Sequence, residues 1–287
     1  MQRRTFIQSS AAAAAPPQAA RRPVTSSVML WTLKGTFEQK MEIAAAAGLQ
    51  SVELVGEHAN WSDAEIDRMK KLARSLKLGM DTISATPDWN RKQISMVDPA
   101  QRDNLLGEVG RQIVFAQKLE IPMLLLMSGN EIAGRTREEQ YASLLEGCKR
   151  CGELAAKAGV TLIVEPLNTK VNHKGFFLAT CVEGLKLVKE TDNPHVRLLF
   201  DIYHEQVQLG DVIRTIRAAA AYTKVFHIAD NPGRNDPGTG EMNYANIYKA
   251  IRDIGYADYV TMEYLPLGDA AQSLTKALSG MRAAMAA

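Results

Sequence analysis

The sequence has little cysteine, no long hydrophobic run and almost no excess of either charge. Its three cysteines, Cys148, Cys151 and Cys181, are too few for a disulfide framework. Cys148 and Cys151 have C-x-x-C spacing, but they fall within a helical pattern and no second pair follows. They read as two helix-face cysteines, not as a zinc or redox motif. No stretch approaches the roughly 18 apolar residues of a membrane span. Lys+Arg number 34 and Asp+Glu 32, a formal net charge of +2, which argues against a nucleic-acid partner. No G-x-G-x-x-G run follows the first apolar segment, which weakens a dinucleotide-binding doubly wound sheet.

What is present starts with a segment set apart from the rest. Arg3-Arg4-Thr5-Phe6-Ile7 resembles a twin-arginine export signal. A run of small residues follows, then Pro16-Pro17 and Ala19-Ala20. Residues 1–24 are therefore expected to be an export leader, placing the protein in the periplasm or outside the cell. The alternative is a disordered Ala/Pro segment on a cytoplasmic protein. Twin-arginine export moves folded proteins, which would suit an enzyme loaded with metal beforehand.

The remaining chain alternates short apolar runs with amphipathic stretches. Runs 28–33, 51–55, 79–84, 121–127, 160–164, 196–200, 224–228 and 259–262 read as strands. Stretches 36–47, 62–76, 99–119, 136–158, 180–189, 212–221, 244–254 and 270–284 read as helices. The strands are rich in Val, Ile and Leu, as buried parallel strands are. Eight strand–helix units in order predict a single-domain (β/α)8 TIM barrel over residues 25–287.

The last four strands share a pattern. Each is apolar and ends in a ligating residue: Glu165 in LIVEPLN, Asp201 in LLFDIYH, His227 in VFHIAD and Glu263 in VTMEYLP. These positions are 36, 26 and 36 residues apart, each about one βα unit. In a barrel all four sit at the C-terminal strand ends, where barrel active sites lie. Period-two alternation lets all four point inward. Three carboxylates so crowded would repel one another, and one would have to take up a proton. A divalent cation removes the conflict. Three oxygen ligands with one imidazole suit Mn²⁺, Mg²⁺ or Co²⁺ better than a structural zinc.

The segment 225–244, VFHIADNPGRNDPGTGEMNY, adds a long Pro/Gly turn after the seventh strand. Loops mounted on rigid strands often carry functional residues, the alternative being a solvated surface turn. Arg234, Asp236 and Glu241 lie along it, and Asp230 is placed to fix it.

With these residues in view, the chain resembles the hydroxypyruvate isomerase group within the xylose isomerase-like (sugar phosphate isomerase/epimerase) TIM barrels. The resemblance runs from about residue 28 to the C-terminus. It is densest in VEPLN with GFFL downstream, in FDIYH, in HIADNPGRNDPGTGEMNY and in MEYLP. It implies that Glu165, Asp201, His227 and Glu263 hold the metal. It also implies that Glu165 and Glu263 are the paired acid/base residues, and that His204, Arg234 and Glu241 approach the substrate. The implied reaction is an aldose–ketose type isomerisation, hydroxypyruvate to tartronate semialdehyde being the best single example. The residues fit that chemistry on their own account. A carboxylate can take the proton beside a carbonyl and return it to the neighbouring carbon. Arg234 can pair with a substrate carboxylate.

Two departures bear on the substrate. Ketose 3-epimerases of the superfamily carry a second glutamate shortly after the one matching Glu165, and Val171 stands there in this chain. His227 stands where some hydroxypyruvate isomerases carry Gln, which favours metal binding. The alternatives are a sugar epimerase and a non-catalytic exported carbohydrate-binding protein. A homo-oligomer is also compatible with the sequence. Weaker candidates are Glu53, inward or in an outward salt bridge, His58 and Trp61 on the rim, Trp89 walling the site, and His173 on a closing loop. His195 is expected at the barrel bottom in a structural role.

Overall fold

The computed structural model describes residues 22–88 and 91–286. The expected leader, save its last three residues, and Trp89 lie outside the described residues.

Eight parallel strands close into a barrel in chain order: β1 (Thr25–Met29), β2 (Ser51–Glu53), β3 (Gly79–Ser84), β4 (Met123–Leu126), β5 (Thr161–Val164), β6 (Val196–Asp201), β7 (Thr223–Ile228) and β8 (Tyr259–Met262), with β8 pairing back to β1. The helices are α1 (Phe37–Ala46), α2 (Asp63–Ser75), α3 (Arg102–Leu119), α4 (Arg137–Ala158), α5 (Cys181–Thr191), α6 (Ile202–Gln208), α7 (Val212–Ala219), α8 (Tyr244–Asp253) and α9 (Ala270–Ala286). Among the described residues no helix is long and apolar enough to cross a membrane.

Local chemistry sets the helix starts. Thr36, Ser62 and Thr136 each form a capping box, accepting from the backbone N–H three residues on while the Gln or Glu there accepts from the cap's own N–H. Gly159 ends α4 in the left-handed conformation, at φ +72°, that glycine adopts freely.

Alternation along the strands divides the core in two. Leu162 and Val164 of β5, Leu198 and Phe200 of β6, Phe226 and Ile228 of β7, and Val260 and Met262 of β8 belong to the large cluster under the helices. Ile163, Leu199 and Val225 join Met29, Met123 and Leu125 in a smaller cluster inside the barrel. The ligating residues share the parity of the second set, so each strand carries an apolar plug below and a polar group at its mouth.

Two readings of the sequence are corrected. The first strand runs from Thr25 to Met29, and Leu30–Thr32 turns into a short 3-10 helix over the barrel mouth, where Thr32 Oγ1 donates to the Met29 carbonyl at 2.8 Å. A short helix, α6, follows β6 without a loop, because Asp201 caps it by accepting from the His204 N–H at 2.8 Å.

Candidate active site

Glu165, Asp201, His227 and Glu263 converge as the sequence predicts. One ligand atom from each lies within 4.8 Å of the others, and all four residues are buried. Asp201 on β6 stands opposite His227 on β7 in the parallel register, and His227 stands opposite Thr261, two residues before Glu263.

His227 is held from both sides. Its Nδ1 lies 2.8 Å from Glu263 Oε2 and 3.7 Å from Glu165 Oε1. Its Nε2 lies 3.0 Å from Glu53 Oε2, and Thr261 donates to the other Glu53 oxygen at 2.7 Å. Glu53 is fully buried and points into the barrel, which settles its orientation. The arrangement directs Nδ1 at the cluster and leaves Nε2–H to a carboxylate behind it, as metal-ligating histidines are commonly oriented.

Arg234 caps the cluster from above. Its guanidinium is 2.6 Å from Glu263 Oε1 and 3.8 Å from Asp201 Oδ2. It lies between two rings, 5.2 Å from the centroid of Trp31 and 5.4 Å from that of Tyr203. Its backbone is left-handed, φ +56°, which is uncommon for a side chain of this size and recurs at functional sites. The turn behind it is fixed by Asp230, which is fully buried and accepts from the N–H groups of Asn231, Gly238 and Met242 at 2.9, 2.6 and 3.2 Å. Asp230 thus holds the loop and stays out of the ligand cluster.

His204 is buried beside Asp201, its Nε2 3.7 Å from Asp201 Oδ2. Its ring packs against Tyr203 and His173. Glu241 is not brought into the group. It is exposed on the far arm of the turn, where its carboxylate accepts from Asn231 Nδ2 at 2.6 Å.

Burial and mutual repulsion drive the ionisation of the clustered groups apart. Burial, then repulsion from Glu263, pushes the Glu165 carboxyl well above its usual range. The same causes push Asp201 up to about 7. Burial opposes ionisation of Glu263 too, but Arg234 and His227 outweigh it and hold that carboxyl well below its usual value. Burial disfavours the charged form of His227, yet Glu53 and Glu263 raise it well above the ordinary imidazole. Burial, then Arg234, keeps His204 well below its ordinary value and therefore neutral. Three buried polar atoms here have no hydrogen-bond partner: Glu165 Oε1, His204 Nε2 and Arg234 Nε. Buried polar atoms are rarely left so, unless a bound group completes them. The donor set, the spacing and the orphaned Glu165 oxygen all fit a divalent cation, with an oxyanionic ligand above it.

Other candidates lie elsewhere. His58 is not on the rim: it is fully buried, with Nε2 2.7 Å from Gln112 and its ring against Phe115 of α3. Trp61 packs edge-on against Phe37 instead of lining the mouth. His195 is at the barrel bottom, with Nδ1 2.7 Å from the Val160 carbonyl. Cys148, Cys151 and Cys181 are buried, and burial pushes the Cys151 thiol up to about 12, so it is inert at neutral pH.

Trp31, Tyr203 and Asn168 also belong to the site, and no motif of their own in the sequence marks them. Trp31 Nε1 donates to Glu263 Oε1 at 2.9 Å. Their only signal was proximity: each lies within three residues of a strand end or a ligand.

Comparison with known proteins follows the same lines. The model of the family described as "Xylose isomerase-like TIM barrel" matches residues 41–283. A hydroxypyruvate isomerase of Escherichia coli is 30% identical over 234 residues, covering 80% of this chain and 88% of that protein. A 2-oxo-tetronate isomerase of Cupriavidus necator is also 30% identical over 234 residues, covering 80% of this chain and 87% of its own. A solved structure from Brucella melitensis, described as an AP endonuclease of family 2, superposes with a TM-score of 0.76 at 26% identity, covering 88% of this chain and 96% of its own.

Proposed function

Because the chain belongs to the xylose isomerase-like TIM barrel family, we propose that it is a metal-dependent isomerase of small hydroxy-carbonyl acids, with hydroxypyruvate to tartronate semialdehyde the best single assignment. The two isomerase relatives support the reaction class. The observation that carries the reading is the convergence of Glu165, Asp201, His227 and Glu263 within 4.8 Å beneath Arg234.

These four residues would hold a divalent cation such as Mn²⁺, Mg²⁺ or Co²⁺. When bound, it would supply positive charge to the neighbouring carbonyl and hydroxyl oxygens of the substrate. The chain's own groups do the rest. Glu165 takes the proton from the hydroxyl-bearing carbon, as one of the two carboxylates that face each other across the cluster. Glu263, which already accepts from Trp31 and pairs with Arg234, is the second acid/base carboxylate, on the opposite side of the substrate. Return of that proton to the adjacent carbon, with the hydroxyl proton passing to the former carbonyl oxygen, completes the isomerisation. Arg234 offers its free Nε–H to the substrate carboxylate, and Trp31 and Tyr203 keep its plane fixed.

The guanidinium over the cluster favours an acid over a neutral sugar. Val171, 68% exposed on the loop after β5, brings no second carboxylate to the place where ketose epimerases hold theirs. A substrate panel with added Mn²⁺ tests the reading. Turnover of hydroxypyruvate or a 2-oxo-tetronate, with neutral ketoses poor, is the expected result. Efficient C3 epimerisation of a free ketose would replace it with the epimerase reading. Tight sugar binding with no turnover, unchanged in Glu165→Gln and Glu263→Gln, would mark a binding protein.

A further inference from the structure

We infer that Asn168 is a positioning residue that locks His204 as a neutral imidazole with its proton on Nε2, making that N–H a fixed donor to a substrate oxygen beside Asp201. The inference rests on the isomerase reading for its substrate, but the tautomer itself is a property of the resting protein.

The argument starts from the amide of Asn168, which is fully buried at the start of the β5–α5 loop. Its oxygen accepts from the backbone N–H groups of Val171 and Asn172, at 3.1 and 3.2 Å. Two backbone donors leave no choice in the amide's orientation, because Nδ2 cannot accept from either. Nδ2 must therefore face the other way, where it meets Asn172 Oδ1 at 3.0 Å and His204 Nδ1 at 2.5 Å. The Asn168 backbone N–H also points at His204 Nδ1, at 3.3 Å. Both groups facing Nδ1 are donors, so Nδ1 must accept and carries no proton. The single imidazole proton is then on Nε2.

That Nε2 is buried, has no hydrogen-bond partner and lies 3.7 Å from Asp201 Oδ2. A donor left unsatisfied in this position is costly unless a ligand oxygen completes it. The ring is further hemmed in by Tyr203, in an edge contact, and His173, in a tilted one. As negative charge develops on a substrate oxygen, a fixed N–H stabilises it without giving up its proton. The same amide ties the loop 168–172 to this donor, because Asn172 Oδ1 also accepts from Tyr203 Oη at 2.9 Å. Loop geometry and donor orientation are thus set by one side chain.

Nitrogen-15 NMR of the full-length protein labelled at its five histidines reads the tautomer directly. The His204 ring is expected to show a bare Nδ1 and a protonated Nε2. A proton on Nδ1 in the wild-type ring overturns the inference, whatever any variant does. Asn168→Asp supplies the second arm. It keeps the acceptor for Val171 and Asn172 but turns the nearer of the two groups facing Nδ1, the side chain at 2.5 Å, from donor to acceptor, leaving only the longer backbone contact at 3.3 Å. The proton should move to Nδ1, and kcat should fall about 100-fold, the cost of losing one such donor, with KM little changed. A reversed tautomer with undiminished kcat also overturns the inference. If the wild-type protein turns over no hydroxy-carbonyl acid, the isomerase reading fails, and with it the donor's role, while the ring measurement still decides the tautomer.

Discussion

Glu53 and Glu165 are both buried carboxylates near strand ends, yet their neighbours give them different roles. Glu53 is satisfied by His227 and Thr261, so it orients the imidazole. Glu165 keeps one oxygen unpartnered. Glu53→Gln should therefore weaken Mn²⁺ binding about 10- to 100-fold, the range for groups behind a metal ligand. Calorimetric titration checks this, and unchanged affinity would remove Glu53 from the account. A third carboxylate, Asp81, lies deeper, where β3 gains a residue against β2: Val52 stands opposite Met80, but Glu53 opposite Thr82. Ser27 and Thr82 donate to it at 2.7 and 2.9 Å. Burial, then repulsion from Glu53, pushes it up to about 8. Folded Asp81 thus keeps its proton over a pH range where the unfolded chain, near the ordinary aspartate value of about 3.9, has lost it. Its contribution to stability is fully present below that unfolded value and is lost as pH rises through about 8. Asp81→Asn should match wild type in acid and unfold at a higher temperature near pH 9. Melting curves across pH check the sign.

Among single residues, the cluster of Glu165, Asp201, His227 and Glu263 was legible because strand ends and parity place it. The partners of those residues were less so. Trp31 reaches Glu263 across the closure of the barrel, from the first strand to the last, and no local pattern announces such a contact. Asn168 looks like an ordinary turn residue until its amide is seen between two backbone donors and a histidine. Glu241 was drawn in by the motif it sits in, but its side chain turns outward onto Asn231.

At the scale of elements, the turn after β7 is the part most sharply shaped by backbone chemistry. Asp230 gathers three N–H groups from across it, and the Leu265 N–H donates to the Arg234 carbonyl at 2.8 Å, tying the turn to the β8 side. Gly240 packs so closely that an added Cβ would sit 2.3 Å from the Asn231 carbonyl oxygen and 2.6 Å from Asp230 Oδ1. Gly240→Ala must therefore displace the turn and with it Arg234. We expect a loss of about 1–3 kcal/mol in stability, the usual cost of overpacking, and at least a tenfold drop in kcat/KM. A fully active, equally stable variant would show that the turn does not position Arg234. Helix starts were legible from Thr36, Ser62 and Thr136, whose capping boxes are written in four consecutive residues. The helix α6 was not, because its cap is Asp201, a residue that strand periodicity had already claimed.

For the whole molecule, the barrel was readable because eight buried strands repeat one apolar pattern, and the order of units fixes which ends meet. What the pattern could not convey is the distribution of charge inside the closed barrel. Glu53, Glu165 and Glu263 all lie buried against His227, with Asp201 beside them, so a bound cation should stabilise the fold as a whole. Mn²⁺ at about 100 times its Kd should add roughly 2.7 kcal/mol, or about 5–10 °C in Tm for a chain of this size. Chelation should reverse the gain. An unchanged Tm with excess Mn²⁺, Mg²⁺ and Co²⁺ would contradict a metal site in this cluster.

The central claim is that Glu165, in a metal-bearing barrel mouth, moves a proton between adjacent carbons of a hydroxy-carbonyl acid. Its most direct test is isotope exchange followed by NMR, with Mn²⁺-loaded protein and hydroxypyruvate in D₂O. Deuterium should appear at C2 of the tartronate semialdehyde formed and at C3 of recovered hydroxypyruvate, and Glu165→Gln should abolish both. Product formed without solvent deuterium at either carbon, or exchange undiminished in Glu165→Gln, would contradict it.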